Sequence, residues 1–546
     1  MNQSLCLVLD ALRNNGRHGQ NVILSEKKGL LHLWSNREYL PVHPPWEEIG
    51  WDTVYLGDTE QSFDFESIIE AYLVGPYMSI FYEKRDEGGL FHVALPLVKT
   101  ALESALLNNL SSYVNNLFHR QLIRHANFSE RLYDLANLIS EEIAQFLPEM
   151  NNVTMSRISK IVANRSSVFE PFIPLFIDDN VEEIYLDRPN SLVYFDHRIL
   201  GRCQTSFSIC DDDVSRVITL IRSESNHHLD RRNPSLKTKF TLFGVELRIS
   251  VSIPPLSHDG LHLEIRRANK SPFTLASLVL NDTLTVKAAT ILHLGMICRF
   301  NITITGGPGT GKTTLLNALD MSSPRKWRKV YVEDAIESRI LQNCHQVRLR
   351  VDPVDERNGI FDKTSEILKS LHRSPDYLIL GEIQTKEHSE ALFQAVAAGL
   401  CTMQTCHSSS ASSLVSRWNS TYGIKKDSIA LMDLIVSMDR PVPGQSVRRV
   451  REIVEVCKTE SDGFLHFSGL NRVYDAMNPE NIRWNENGAF HFHARRVGVA
   501  SPVAAFEALA RLIEESIHNE ITRDAYLISE KMWSCGHPMK FEDDQV

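Results

Sequence analysis

The chain has 546 residues, 43% hydrophobic and 23% charged, a balance that excludes wholesale disorder and leaves room for several domains. A formal net charge of -10 argues against a general nucleic-acid-coating role, because phosphate backbones call for basic surfaces. The nine cysteines form no Cys-x-x-Cys pair, so neither a zinc knuckle nor a disulfide framework is indicated, and reduced thiols in a cytoplasm are expected.

Residues 1 to about 95 mix short strand-like runs with turns. Met78-Ser79-Ile80-Phe81-Tyr82 and Leu90-Phe91-His92-Val93 flank the charged turn at 84–89 and predict a hairpin. The run Leu5 to Leu9 is cut by Asp10 and has no basic residue before it, so it does not read as a signal peptide. No apolar stretch approaches the roughly 18 residues of a membrane span. From Leu97 to about Phe146 the pattern turns helical, with Val98, Leu102, Leu106, Leu110, Tyr113, Val114 and Leu117 on one face. Such a stripe reads as core or subunit contact.

Strand signals resume with Val181 to Leu186 and Leu192 to Phe195, split by the turn Asp187-Arg188-Pro189-Asn190. Val214 to Ile221 is helical in pattern, and Phe243 to Ile249 and Leu261 to Arg267 are strand-like. These segments predict a small α+β domain ending near Lys270, with a linker at Ala268 to Pro272.

The next domain is organised around Gly306-Gly307-Pro308-Gly309-Thr310-Gly311-Lys312-Thr313, a full match to the G-x-x-x-x-G-K-[ST] pattern. A β-branched run, Phe300 to Thr305, precedes it, and the helix formers Thr314 to Leu319 follow. A strand, a glycine loop and a helix start make an anion site, because backbone N–H groups converge and the helix dipole adds positive charge. Lys312 is expected to reach the β- and γ-phosphates of a nucleotide, with the Thr313 hydroxyl on Mg²⁺.

Turnover needs acids that place metal and water. Lys329 to Val332 runs into Glu333-Asp334-Ala335-Ile336-Glu337, and Pro375 to Leu380 runs into Gly381-Glu382. Each is an apolar strand tipped with carboxylate, and ligands of parallel sheets bind at the C-terminal strand ends. Glu382 is read as polarising water or holding Mg²⁺, directly or through water. Ser389 to Gly399 follows as a helix with Ala391, Leu392, Ala395 and Val396 inward, and Cys401 to Cys406 as a strand ending at His407. His407 reads either as structural or as a sensor of the γ-phosphate. Arg248 and Arg266 read either as surface residues or as groups that stabilise phosphoryl charge; Arg267 reads as surface.

Together these segments resemble the secretion ATPase superfamily that powers type II and type IV secretion, type IV pili and the archaellum. The resemblance covers about residues 165 to 455. Gly306 to Thr314 with Leu315-Leu316-Asn317-Ala318 is similar to its Walker A motif, and Glu333-Asp334 with Glu337 to its Asp box, which carries a catalytic glutamate. Leu371 to Asp376 through Gly381-Glu382-Ile383 resembles its Walker B, Ala398-Gly399 through His407 its His box, and Arg448-Arg449-Val450 through Val456 its closing strands. Upstream, Pro174 to Ile184 and Pro234 to Ile249 resemble the second N-terminal domain, and Glu264-Ile265-Arg266-Arg267 the segment whose arginine reaches the nucleotide. Glu70 to Leu97, with Gly75-Pro76-Tyr77, is similar to the first domain of archaeal members, which favours that branch. Two positions depart. Gln384 and Thr385 stand where the family has Arg-Asp, and Leu400 where it has the first histidine of its His box.

The resemblance implies an α/β fold. A RecA-like P-loop NTPase core at 271–460 is preceded by a small α+β (PAS-like) domain at 166–270 and an N-terminal α+β/helical domain at 1–165, with a C-terminal extension at 461–546. It implies a Mg²⁺-dependent ATP hydrolase working as a hexameric homo-oligomer, with nucleotide shared between the core and the N-terminal domain. Glu337, Glu382, Lys312, His407, Arg248 and Arg266 would serve catalysis. Gly306, Gly307, Pro308, Gly309, Thr310, Gly311, Lys312, Thr313 and Thr314 would bind ATP, and Thr313 and Glu382 would bind Mg²⁺. The implied partners are a polytopic inner-membrane platform protein and, indirectly, pilin-like subunits. The location is then cytoplasmic, peripheral at the cytoplasmic membrane through that partner, without direct nucleic-acid contact. A DNA-transfer motor of the same superfamily and an ATP-binding scaffold with little hydrolysis are the alternatives.

Overall fold

The computed structural model of the protein describes residues 31–34, 51–54, 68–75, 77–85, 89–98, 103, 106–111, 127–225, 227–268, 272–341, 344–352, 361–494 and 501–518. They form a mixed α/β fold in two compact units. The first is Met1–Lys270 with Gly444–Ser446, and the second Ser271–Pro443 with Val447–Val546. The run at 5–9, residues 102, 113, 114 and 117 of the expected stripe, and linker positions 269–271 lie outside the described residues.

In the first unit β1 (Leu31–Trp34) and β2 (Trp51–Val54) pair antiparallel. A nine-stranded sheet contains β3 (Ile68–Val74), β4 (Met78–Lys84), β5 (Leu90–Pro96), β6 (Val181–Leu186), β7 (Leu192–His197), β8 (Gly201–Ser208), β9 (Ser235–Leu242), β10 (Val245–Ser252) and β11 (His262–Arg267). Their order is β3-β4-β5-β8-β7-β6-β11-β10-β9, with β5 and β8 the parallel pair. One sheet therefore draws on both sides of residue 165. The hairpin expected near residue 80 is present as β4–β5, with Tyr82 opposite His92. Strand β10 shows the alternation of a sheet with one dry face: Val245, Leu247, Ile249 and Val251 are buried, while Glu246, Arg248, Ser250 and Ser252 are half-exposed. Helices Phe128–Phe146 and Asn152–Arg165 start at Asn127 and Asn151, whose side chains accept the backbone N–H of Glu130 at 2.9 Å and Val153 at 2.8 Å. The first of them buries Leu132, Leu135, Ile139 and Ile143 along one stripe.

Two expectations are corrected here. Phe243 and Gly244 belong to the turn between β9 and β10 and not to a strand, with φ of 51° and 74°. Positive φ at both positions is the signature of a type I′ turn, whose twist matches that of the flanking strands. Arg267 is buried and not a surface residue. The two-residue period of β11 turns it inward with Leu263 and Ile265 while Arg266 faces out. Its Nε donates to the Phe176 carbonyl at 2.9 Å and its guanidinium pairs with Asp179.

The second unit is built on eight strands: β12 (Ile302–Gly306), β13 (Arg328–Glu333), β14 (His345–Arg350), β15 (Tyr377–Ile383), β16 (Thr402–Cys406), β17 (Leu434–Asp439), β18 (Arg449–Ser461) and β19 (Phe464–Asp475). The order is β14-β13-β15-β16-β12-β17-β18-β19; the first six run parallel, and β18 and β19 run antiparallel. Every residue of β12 and of β16 is buried, as a parallel sheet covered on both faces requires. Helix Val286–Ile297 is buried from Ala288 onward. Helix Pro502–His518 packs against it and brings Phe506, Leu509 and Ile513 into the same core. At the lower end of β17, Asp433 and Lys458 form a fully buried ion pair at 2.5 Å. His493 Nε2 lies 2.9 Å from the same carboxylate, and the Asn301 amide donates to it at 2.8 Å. These partners outweigh the cost of burial and hold the Asp433 carboxyl down at about 2.

Candidate functional site

Because β13, β15, β16 and β12 run parallel and adjacent, their C-terminal ends open on one edge of the sheet. That edge gathers Glu333 and Asp334, then Glu382, then His407, then the glycine loop. The loop leaves β12 at Gly306, where an added Cβ would lie 2.6 Å from both the Met438 carbonyl and Thr310 Oγ1, so only glycine fits. Gly311 has φ of 90° and precedes helix Lys312–Met321, whose N-terminus carries no side-chain cap. A helix start without a side-chain cap suits an outside acceptor such as a phosphate at its first-turn amides. Thr310 Oγ1 donates to the Gly307 carbonyl at 2.9 Å and Arg448 Nε to the Gly309 carbonyl at 2.8 Å, which fixes the loop's curvature. Pro308 lies at the tip, and Thr313 and Thr314 are half-buried on the first helical turn.

Lys312 is buried, with Nζ 2.8 Å from the Gly307 carbonyl and 3.3 Å from His407 Nδ1. His407 Nε2 pairs with the Glu382 carboxylate. Next to an ammonium group Nδ1 must accept, which leaves the proton on Nε2 to point at Glu382. Burial alone would raise the Glu382 pKa. Hydrogen bonds from His407 and from Gln384 Nε2, at 2.9 Å, and the charge of Lys312 outweigh it and bring the carboxyl to about 2. Glu382 is therefore an anion at every physiological pH, aimed at the loop lysine through one imidazole.

Strand β13 ends in a different arrangement. The Glu333 carboxylate is buried and turned back on its own chain, accepting the amides of Glu337 at 3.0 Å and Ser338 at 2.9 Å and the Ser338 hydroxyl at 2.5 Å. Burial raises its pKa. Asn317, on the helix after the loop, donates to the Glu337 carbonyl at 3.1 Å. Glu333 and Asn317 thus hold the backbone of Glu337, which stands half-buried four residues past the strand end. Lys363 is buried, paired with Asp334, and donates to the Glu382 carbonyl at 2.8 Å.

Arg248 and Arg266 lie in the first unit. They stand opposite each other in the β10–β11 register, on the outward face, with Arg248 3.4 Å from Glu246 and Arg266 3.7 Å from Glu183. Of the two departures, Gln384 reaches Glu382, whereas Leu400 packs at the edge of a hydrophobic cluster. Lys363, Glu333 in its anchoring role and Arg448 on the loop carbonyl escaped the sequence reading. Arg448 carried a signal, since it lies in the Arg-Arg-Val segment; a lone lysine at a helix start carries none. Among the described residues no helix is long and apolar enough to cross a membrane, and no cluster of three or more His, Cys, Asp or Glu side chains could hold a metal.

The family model described as type II/IV secretion system protein matches residues 167–539, more than half of the chain and well past residue 455, where the motif resemblance stops. The uncharacterized protein MJ0781 of Methanocaldococcus jannaschii is 28% identical over 332 residues, 58% of this chain and 43% of its own length. The chain thus spans less than half of that relative. The type IV secretion system protein PtlH of Bordetella pertussis is 27% identical over 268 residues, 45% of this chain and 77% of its own. Among solved structures, the ATPase DotB of Yersinia pseudotuberculosis superposes with a TM-score of 0.40 at 14% identity, covering 65% of this chain and 90% of its own.

Proposed function

The chain belongs to the type II/IV secretion system protein family, and from that premise we propose that it is a Mg²⁺-dependent ATP hydrolase. In this reading it is the motor for assembly of type IV pilus-like filaments or for protein secretion, in the archaeal branch. The working form is a cytoplasmic hexamer held at the membrane by a polytopic platform protein that acts in turn on pilin-like subunits. The eight-stranded sheet is then a RecA-like core, with PAS-like and helical domains before it.

The observation that carries the reading is the line Lys312, His407, Glu382 across three neighbouring strand ends, with a capless helix start beside it. Lys312 draws charge off the β- and γ-phosphates, and the loop amides hold their oxygens. The Thr313 hydroxyl and the Glu382 carboxylate are the groups to hold Mg²⁺, which when bound neutralises phosphate charge. Glu337 takes the role of base toward the attacking water, on a backbone fixed by Glu333 and Asn317. A phosphate that draws Lys312 away leaves the His407 Nδ1 without that donor, so His407 reports occupancy to Glu382. In this reading Arg248 and Arg266 are the arginines that stabilise phosphoryl charge.

A second reading, an ATP-binding scaffold with little hydrolysis, is favoured by the Gln384 amide that occupies one Glu382 oxygen. Steady-state phosphate release separates the two. Turnover in the parent supports the motor, and Lys312→Ala should lower it by about 10²–10³-fold, the scale set by losing one buried charge-stabilising donor. A Lys312→Ala protein that hydrolyses ATP at the parent rate would falsify the assignment.

A further inference from the structure

Strands β15 and β16 do not pair evenly. Leu380 stands opposite Gln404 and Ile383 opposite Cys406, so Gly381 and Glu382 together face the single residue Thr405. Two residues against one is a bulge, which bends the strand and re-aims the side chain it carries. Here that side chain is Glu382. A bulge disrupts the ladder locally, so its carbonyls call on other donors. The Gly381 carbonyl accepts the Thr405 hydroxyl, and the Glu382 carbonyl accepts Lys363 Nζ at 2.8 Å. Space at the bulge is tight, since a Cβ on Gly381 would come within 3.2 Å of Glu333 Cγ.

Lys363 is an unusual donor for this task. It opens the helix Lys363–Lys369, where lysine ordinarily reaches into water, yet its side chain is only 1% exposed. A buried ammonium is tolerated when paired and hydrogen-bonded. Asp334, the first residue beyond β13, supplies the countercharge. One ammonium group thereby ties the ends of the two acid-tipped strands together.

We propose that Lys363 is a positioning residue for Glu382: clamped by Asp334, it holds the bulge that aims the Glu382 carboxylate at His407 and Lys312. Its catalytic consequence rests on the ATPase reading above, but the clamp itself does not. The test uses the full chain with Lys363→Met, and with the charge-neutral pair Lys363→Met/Asp334→Asn in case the aspartate that loses its lysine prevents folding. Amide hydrogen exchange is read first. Residues 381–384 should exchange at least about tenfold faster in the variants while β12 and β17 stay unchanged, because only the local opening is affected. Unchanged exchange at 381–384, or faster exchange throughout the sheet, overturns the clamp.

Phosphate release is read second. The variants should lose about tenfold or more in kcat with KM within about twofold, and Lys363→Met added to Glu382→Gln should cost nothing further, since both act through one carboxylate. Additive losses overturn the positioning role. A parent that releases no phosphate removes the ATPase reading, and the exchange result still decides the clamp.

Discussion

The two sheets of this protein treat charge in opposite ways. In the nine-stranded sheet charged residues can alternate with apolar ones across an outward face, as Arg248 and Arg266 do between Glu246 and Glu183, with Arg267, buried and paired with Asp179, an exception. In the eight-stranded sheet the inner parallel strands are dry, so charge is confined to strand ends and to fully enclosed pairs. The difference follows from exposure. A half-solvated face can carry ions cheaply anywhere along a strand, whereas a sheet covered on both sides can carry them only where the strands stop. Chemistry that needs several acids and a lysine within reach of one another is favoured by the second plan.

Substitutions that remove single charges should separate the two plans, with effects that shrink as water access grows. Lys458→Met leaves Asp433 charged in a site where both side chains are only 1% exposed. Breaking such a pair costs about 3–5 kcal/mol, readable as a lowered denaturation midpoint of the second unit. A midpoint equal to the parent's would mean that water reaches this pair.

Glu455 comes next. Burial raises its carboxyl pKa to about 7, against hydrogen bonds from Asn471 and the Phe490 amide that favour the anion. With the folded pKa above the unfolded one, its stability contribution is fully present below about pH 4.5 and is lost as pH rises through about 7. Glu455→Gln should therefore leave stability unchanged near pH 4 and raise it by about 3 kcal/mol near pH 8. Thermal melts across that range read the difference; parallel pH profiles for variant and parent would contradict the buried-acid picture.

Glu382→Gln keeps the shape but removes the anion at the strand end and one of the two acceptors that His407 and Gln384 use. Phosphate release in a single turnover should slow by about 10²-fold, with ATP still bound. Equal release by variant and parent would take Glu382 out of the reaction. The smallest effect belongs to the outward face. Arg266→Ala loses a half-exposed pair with Glu183, and unfolding free energy should change by less than about 1 kcal/mol. A larger loss would show that the outward face of the first sheet is not solvated as its alternation implies.

Much of the site was legible because its parts are local. The glycine loop, the acid after Val332, the acid after Gly381 and the histidine after Cys406 each announce themselves within a few residues of an apolar strand. The turn at Phe243–Gly244 was missed because a phenylalanine there reads as strand, and only the pairing of Leu242 with Val245 forces positive φ. Arg267 was missed although the period of two in β11 already turned it inward. Its partners, the Phe176 carbonyl and Asp179, lie about ninety residues away, and a buried arginine cannot be recognised without them.

The sequence by itself determined that a glycine loop follows a buried strand, that it opens a helix, and that acid-tipped strands follow it. These are properties of contiguous backbone and side-chain volume. The tertiary structure alone decided that β16 lies between β12 and β15, so that His407 bridges Lys312 and Glu382. It alone turned Glu333 into an anchor for the Glu337 backbone and buried Lys363 beneath the bulge. Strand order is set by which faces pack in a three-dimensional core. No short-range pattern encodes which strand ends become neighbours.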